Sequence, residues 1–259
     1  MSAPNRPTDP EDQPPELSPS GAPIFRHSTP GHDPDLVAGD NETIDVITRH
    51  LEKHLGPVET VFHEIISPLV HIDVHVLRPY GERDCTVLVT SGMSDREMTV
   101  PEELHDFRFM ELMLCLPADW PLDQKSFEDE RNYWPVRWLK MMARFPHEYQ
   151  TWLGYGHTVP NGDPPKPFAS NTEFSSMVVF PPVNAPEDFH LLQHDDKLIR
   201  FFQIVPLYRE ELTLKLNKGL DALIERLDEF GIGDVIDIQR PNVVTGVARK
   251  KPWWKRLLE

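Results

Sequence analysis

The chain has 259 residues, 39% of them hydrophobic, which is enough for one substantial core. Its formal net charge of -16 excludes a broad nucleic-acid surface, because such a body repels phosphate backbones; the last 14 residues hold five basic groups against one acid, leaving -20 for the rest. Two cysteines in separate apolar runs exclude a disulfide framework, and no apolar run approaches the roughly eighteen residues of a membrane span.

Residues 1–39 contain nine prolines, with acidic and small residues between them. That composition buries too little surface to offset chain entropy, so a disordered, extended arm is expected there; a proline-rich ligand for a groove-type module is the alternative. The start is not a basic stretch followed by an apolar one, so a cytoplasmic location is expected.

Order is expected from Asp40, an N-cap for a helix whose Ile44, Ile47, Leu51 and Leu55 recur at helical spacing until Gly56 and Pro57. Residues 58–64, 70–77 and 85–91 alternate or are rich in β-branched side chains and predict strands, with Arg78 to Gly81 as a turn. A further strand is predicted at 109–116, closed by Pro117. A helix is predicted at 133–144, with Pro135 in its first turn, Pro146 just beyond its end, and Trp138, Leu139 and Met142 facing inward.

The second half predicts strands at 156–159, 173–180 and 198–205, helices at 206–218 and 220–230, and a short strand at 235–238. No repeat of fixed period occurs. The expected architecture is α+β: a mixed, largely antiparallel sheet flanked by helices. The domain is bounded at 40–242, leaving 243–259 as a basic, Trp-containing tail that includes Arg249, Lys250, Trp253, Trp254 and Arg256. That tail reads as flexible, as a docking segment, or as a weak membrane contact, with no stable insertion.

Two polar clusters are candidates for chemistry. His71, Asp73 and His75 alternate along a predicted strand and project from one face, as a metal site would use, with His63 or His157 as a further ligand. Alternate residues on a strand lie about 7 Å apart, which is long for three ligands of one ion, and a half-solvated sheet face explains them as well. His190, His194, Asp195 and Asp196 read as a solvated loop, with 195–197 a turn between strands. Glu102, Glu103, Glu210 and Glu211 sit where acids complement helix starts. Gly154, Tyr155 and Gly156 look like part of a phosphate loop but lie between a helix and a strand, the wrong order for a cradle. No nucleophile elbow, paired zinc-binding dipeptides or metalloprotease motif is present, so no catalytic, cofactor-binding or metal residue is assigned and no enzyme activity is expected.

The segments HIDVHV (71–76), LVTSGMS (88–94), ELMLCLP (111–117), YWPVR (133–137), ARFPH (143–147), TWLGYGHT (151–158) and FQIVPLY (202–208), with Glu210 and Glu211, occur in this order. Together they resemble the suppressor-of-fused domain, specifically its bacterial branch, over about residues 58–241. The resemblance implies an α+β domain without established catalytic residues or cofactor. Animal members of that family sequester Gli-type transcription factors with the help of a further C-terminal region; this chain ends soon after Pro241, so that role is not expected. Bacterial members look like immunity proteins that bind and neutralise a toxin, and an acidic domain suits a basic toxin. Gly92, Pro117, Gly154 and Gly156 match family positions as backbone punctuation, and Trp152 and His157 either line a partner groove or pack in the core. The expectation is a protein-binding domain with an unidentified protein partner. A metal-dependent hydrolase or metal sensor built on His71, Asp73 and His75 is the alternative.

Overall fold

The computed structural model describes residues 15–27, 36–37, 41–64 and 67–246. In chain order the elements begin with β1 (Glu16–Leu17), β2 (Pro23–Ile24), β3 (Leu36–Val37), α1 (Asn41–Leu55), β4 (Thr60–Phe62), β5 (Ser67–Pro68), β6 (Asp73–Leu77), β7 (Cys85–Ser91) and β8 (Phe109–Pro117). They continue with α2 (Glu130–Glu148), β9 (Thr158–Pro160), β10 (Phe174–Phe180), β11 (Leu191–His194), β12 (Lys197–Tyr208), α3 (Arg209–Lys218) and α4 (Leu220–Phe230).

Eight strands form one sheet in the order β4-β6-β7-β8-β12-β10-β9, with β11 pairing to β12 beside β10. Every pairing in it is antiparallel except β8 with β12. The sheet is therefore mixed and largely antiparallel, as the alternation predicted. Strands β6, β7 and most of β8 are buried along their length because helices cover both faces.

The alternation decides which helix each strand residue meets. Even-numbered Met110, Leu112, Leu114, Phe202 and Ile204 pack under α2, where Trp134, Trp138, Leu139 and Met142 fill the main core with Phe168. Odd-numbered Phe109, Met113, Ile199 and Phe201 face the other way and meet Ile47, Leu51 and Leu55 of α1. Further along that second face Val178, Val205 and Leu207 meet Leu223 and Leu227 of α4. Helix α1 thus closes one half of the second face and α3 with α4 close the other.

Several boundaries differ from the sequence reading. Helix α2 begins at Glu130, because Asp129 caps it by accepting from the Arg131 N–H, and it runs past Pro146, which lies buried inside the helix. Residues 206–208 extend β12, and α3 starts after them with the Glu211 carboxylate accepting from the Tyr208 N–H at 3.0 Å. The stretch expected as a solvated loop around His190 and His194 instead contains β11, though Asp195 does make the turn at φ 50°. The final predicted strand reduces to a bridge between Val235 and Cys115. Residues 15–27, inside the arm expected to be disordered, carry the β1–β2 hairpin. The rest of that arm, Leu36 and Val37 aside, lies outside the described residues, as does the basic tail from 247.

Candidate functional site

His71 and Asp73 come together, but His75 serves another purpose. Asp73 is fully buried and accepts from His71 Nε2 at 3.0 Å, from His63 Nδ1 at 2.8 Å and from the Glu64 N–H at 3.0 Å. His75 meets Ser91 Oγ through Nε2 at 2.9 Å, and burial pushes its pKa down to about 4. Next to this group the Glu64 carboxylate accepts from the Ile72 N–H and pairs with Lys140 and Arg144 of α2. The cluster fastens the chain after β4 to β6 and α2. Among the described residues no group of three or more His, Cys, Asp or Glu side chains is arranged to hold a metal ion. Both carboxylate oxygens of Asp73 and the Nε2 of His75 are already committed within the fold.

Two further buried acids escaped the sequence reading as such. Glu111 interrupts the apolar face of β8, where its carboxylate accepts from the Ser94 N–H at 2.9 Å, the Ser94 hydroxyl at 2.6 Å and the Thr90 hydroxyl at 2.6 Å. Burial without a cation pushes its pKa up to about 7. Glu211 takes a two-pronged bond from the Arg240 guanidinium at 2.7 and 2.6 Å, and Arg240 also lies over the rings of Phe174 and Tyr208. This pair docks the segment after α4 onto β12 and α3. Their signal in sequence is an acid at an otherwise apolar period, legible only once the neighbouring strand is known.

The arrangement that points outward is the corner leading into β9. Trp152 packs against the main core and meets the His157 ring at a tilt of 59°, centroids 4.3 Å apart, and burial holds the His157 pKa below its usual range. Gly154 is required beneath that indole: an added Cβ would lie 2.6 Å from the Trp152 ring. Gly156 has φ 77°, and a Cβ there would meet Leu220 of α4 at 2.6 Å. Between these two glycines Tyr155 is turned out to solvent, 51% exposed, with its ring 6.1 Å from Phe180. The resemblance to a phosphate loop comes from glycines that make room for Trp152 and Leu220.

Strand β9 is the last strand on its side of the sheet. Residues 157, 159 and 161 direct their backbone groups at β10: the His157 carbonyl accepts from the Val179 N–H at 2.9 Å, and the Asn161 N–H donates to the Ser175 carbonyl at 2.8 Å. By alternation the N–H and C=O of Thr158 and the C=O of Pro160 face away from the sheet. The Thr158 hydroxyl accepts from Lys215 Nζ at 3.2 Å, which ties α3 to the strand. Exposed Val183, 72% accessible, lies three residues past Phe180 and adds a second apolar group to the sequence leading from this corner.

The sequence pattern of the family described as Suppressor of fused protein (SUFU) matches residues 68–241, most of the sheet together with α2, α3 and α4. The chain belongs to the suppressor of fused family. A SUFU homologue from Neisseria gonorrhoeae FA 1090 has the same fold, with a TM-score of 0.59 and 19% identity over 80% of this chain and 99% of that one. A chain of the Sufu–Fu complex superposes with a TM-score of 0.54 and 14% identity, covering 78% of this chain and 92% of that one. Drosophila Suppressor of Fused gives a TM-score of 0.51 and 15% identity over 80% of this chain, which spans only 54% of the fly protein. No curated protein sequence matches this SUFU chain. The α+β architecture read from the alternation is the SUFU fold.

Proposed function

We propose that this SUFU domain is a non-catalytic, cytoplasmic protein-binding module that takes an extended segment of its partner along the outer edge of β9, with Tyr155 as the apolar anchor. One observation carries the reading: an aromatic ring held in water between two sterically required glycines, beside a terminal strand with outward backbone groups. A large ring kept exposed by rigid backbone forgoes burial that a partner restores, and a strand edge supplies the hydrogen bonds for an added strand. The Sufu–Fu structure supports the reading by showing a protein of this fold in a complex. Among the described residues no helix is long and apolar enough to cross a membrane.

The net charge of -16 favours a basic partner, since complementary fields raise encounter rates. An immunity-type role, in which the domain neutralises a basic toxin, is the form of binding that this charge supports best.

Affinity capture from the native cell lysate, with mass spectrometry, tests the reading on the full chain, Tyr155→Ala and Thr158→Pro. The second substitution deletes an outward N–H at an edge position, where proline is tolerated. A single stoichiometric partner is expected on the full chain, falling about tenfold or more on both variants, with thermal unfolding unchanged in Tyr155→Ala and still cooperative in Thr158→Pro, which also loses the Lys215 bond. A partner retained undiminished by both variants would place the interface elsewhere.

A further inference from the structure

The β1–β2 hairpin touches both helical layers at the β9 side of the sheet. Its Ser20 N–H donates to the Leu216 carbonyl of α3 at 3.0 Å, next to Lys215, whose ammonium reaches Thr158 of β9. Six residues on, the Arg26 guanidinium pairs with Asp163 at 2.9 Å, just beyond the end of β9, and also with Glu16 of the hairpin. The neighbouring His27 ring then lies 5.3 Å from both Phe145 and Tyr149, at the far end of α2. Since α3 covers one face of the sheet and α2 the other, the chain from Ser20 to His27 passes from layer to layer around the β9 side. Seven residues reach at most roughly 23 Å, enough to pass between two helical layers that each lie about 10 Å from the sheet on opposite sides.

This crossing is held by little. The hairpin closes on itself through the Ser18 N–H to the Ala22 carbonyl and the Ala22 N–H to Ser18 Oγ, with Gly21 at φ 85° in the turn. Its apolar side chains are not what fixes it: Leu17 is 63% exposed and Phe25 54%. Its two ion pairs join side chains that are mostly in water, where such pairs contribute little.

We infer that residues 16–27 are a releasable strap across the β9 side, which restricts access to the partner edge until the Arg26–Asp163 contact opens. The inference rests on the reading of β9 as that edge and adds its regulation. A strap with few buried contacts belongs to the low-stability part of the fold, so a partner displaces it without unfolding the core. Its exposed Leu17 and Phe25 are then available to cover an incoming segment.

Amide hydrogen exchange of the full chain, compared with Arg26→Glu and with Arg26→Glu combined with Asp163→Arg, tests the strap without any partner. Exchange of residues 155–161 is expected to rise about tenfold in the single variant and to return toward wild type in the charge-swapped pair, with residues 174–180 unchanged throughout. Equal exchange of 155–161 in all three proteins would overturn the strap. Random peptides displayed on phage and selected on Arg26→Glu then test the gating. Selected peptides should bind that variant about tenfold tighter than wild type and lose binding on Thr158→Pro. Equal affinity for wild type and Arg26→Glu would overturn the gating. Peptides indifferent to Thr158→Pro would instead overturn the partner edge itself, whatever exchange shows of the strap.

Discussion

The two ends of the sheet are fastened in different ways. At the β4 edge a buried carboxylate, Asp73, is shared by two histidines and a backbone N–H, and Glu64 beside it is shared by two cations of α2. Nearby, Arg83 donates to the carbonyls of Leu55, Leu77, Arg78 and Cys85, fastening the β6–β7 turn to the end of α1. At the β9 end the neighbouring hairpin segment is held by exposed ion pairs, by Ser20 bonds to the Lys215 and Leu216 carbonyls of α3, and by the His27 ring against Phe145 and Tyr149. Sheet edges are where another strand can pair, and the difference lies in what loosening each end costs. The β4 end of the sheet is fastened by buried polar groups, and the β9 end by contacts that lie mostly in water.

The largest effect that sharpens this contrast is expected from Asp73→Ala, which removes the buried acceptor shared by His71, His63 and the Glu64 N–H. It should lower the unfolding free energy by ~3 kcal/mol in urea titrations. Asp163→Ala, the matching cut at the β9 side, should leave the urea midpoint where it is.

Acid is a second way to break the comparison. His75 pairs across from Val61 of β4, and its pKa of about 4 lies below the usual 6.5. Its contribution to stability is present above pH 6.5 and is lost as pH falls through 4, an effect on the order of 3 kcal/mol. Acidification from pH 7 to 4 should therefore loosen the β4 side, and His75→Gln should flatten that loss in denaturation curves. Glu111, raised to about 7, acts in the opposite sense: its contribution is complete below pH 4.5 and lost as pH rises through 7. Glu111→Gln should move the pH of maximum stability upward, with a gain over wild type at pH 8 relative to pH 5 of about 3 kcal/mol at most.

The smallest effect on stability is expected from Tyr155→Ala, because half of that ring is already in water; its unfolding midpoint should match wild type while partner capture falls.

The sheet and the helices were legible because β-branched runs and the spacing of Ile47, Leu51 and Leu55 record two distinct periods. The start of α2 was less so, since its first turn, Glu130 to Asn132, is polar and its cap, Asp129, lies in an acidic stretch. The hairpin at 16–24 was hidden by a proline-rich composition that argues for disorder residue by residue, while its order depends on contacts with Leu216 and Asp163 almost two hundred and about one hundred and forty residues away. At the site, the residue types were visible but their roles were not. The alternation of His71, Asp73 and His75 suggested a shared ligand, whereas hydrogen bonds to His63 and Ser91 divide them. Tyr155 was passed over between two glycines whose purpose appears only when Trp152 and Leu220 lie against them.

The most direct test of β9 as the partner edge is cross-linking of the captured complex with an amine-reactive reagent, mapped by mass spectrometry. Lys166, Lys215 and Lys218 lie around β9 and α3, whereas Lys53 lies on α1 and Lys140 on α2 beside Glu64. Cross-links concentrated on the first three, with Lys53 and Lys140 silent, are the expected result. Cross-links concentrated on Lys53 and Lys140 would place the partner on the β4 side and contradict the account.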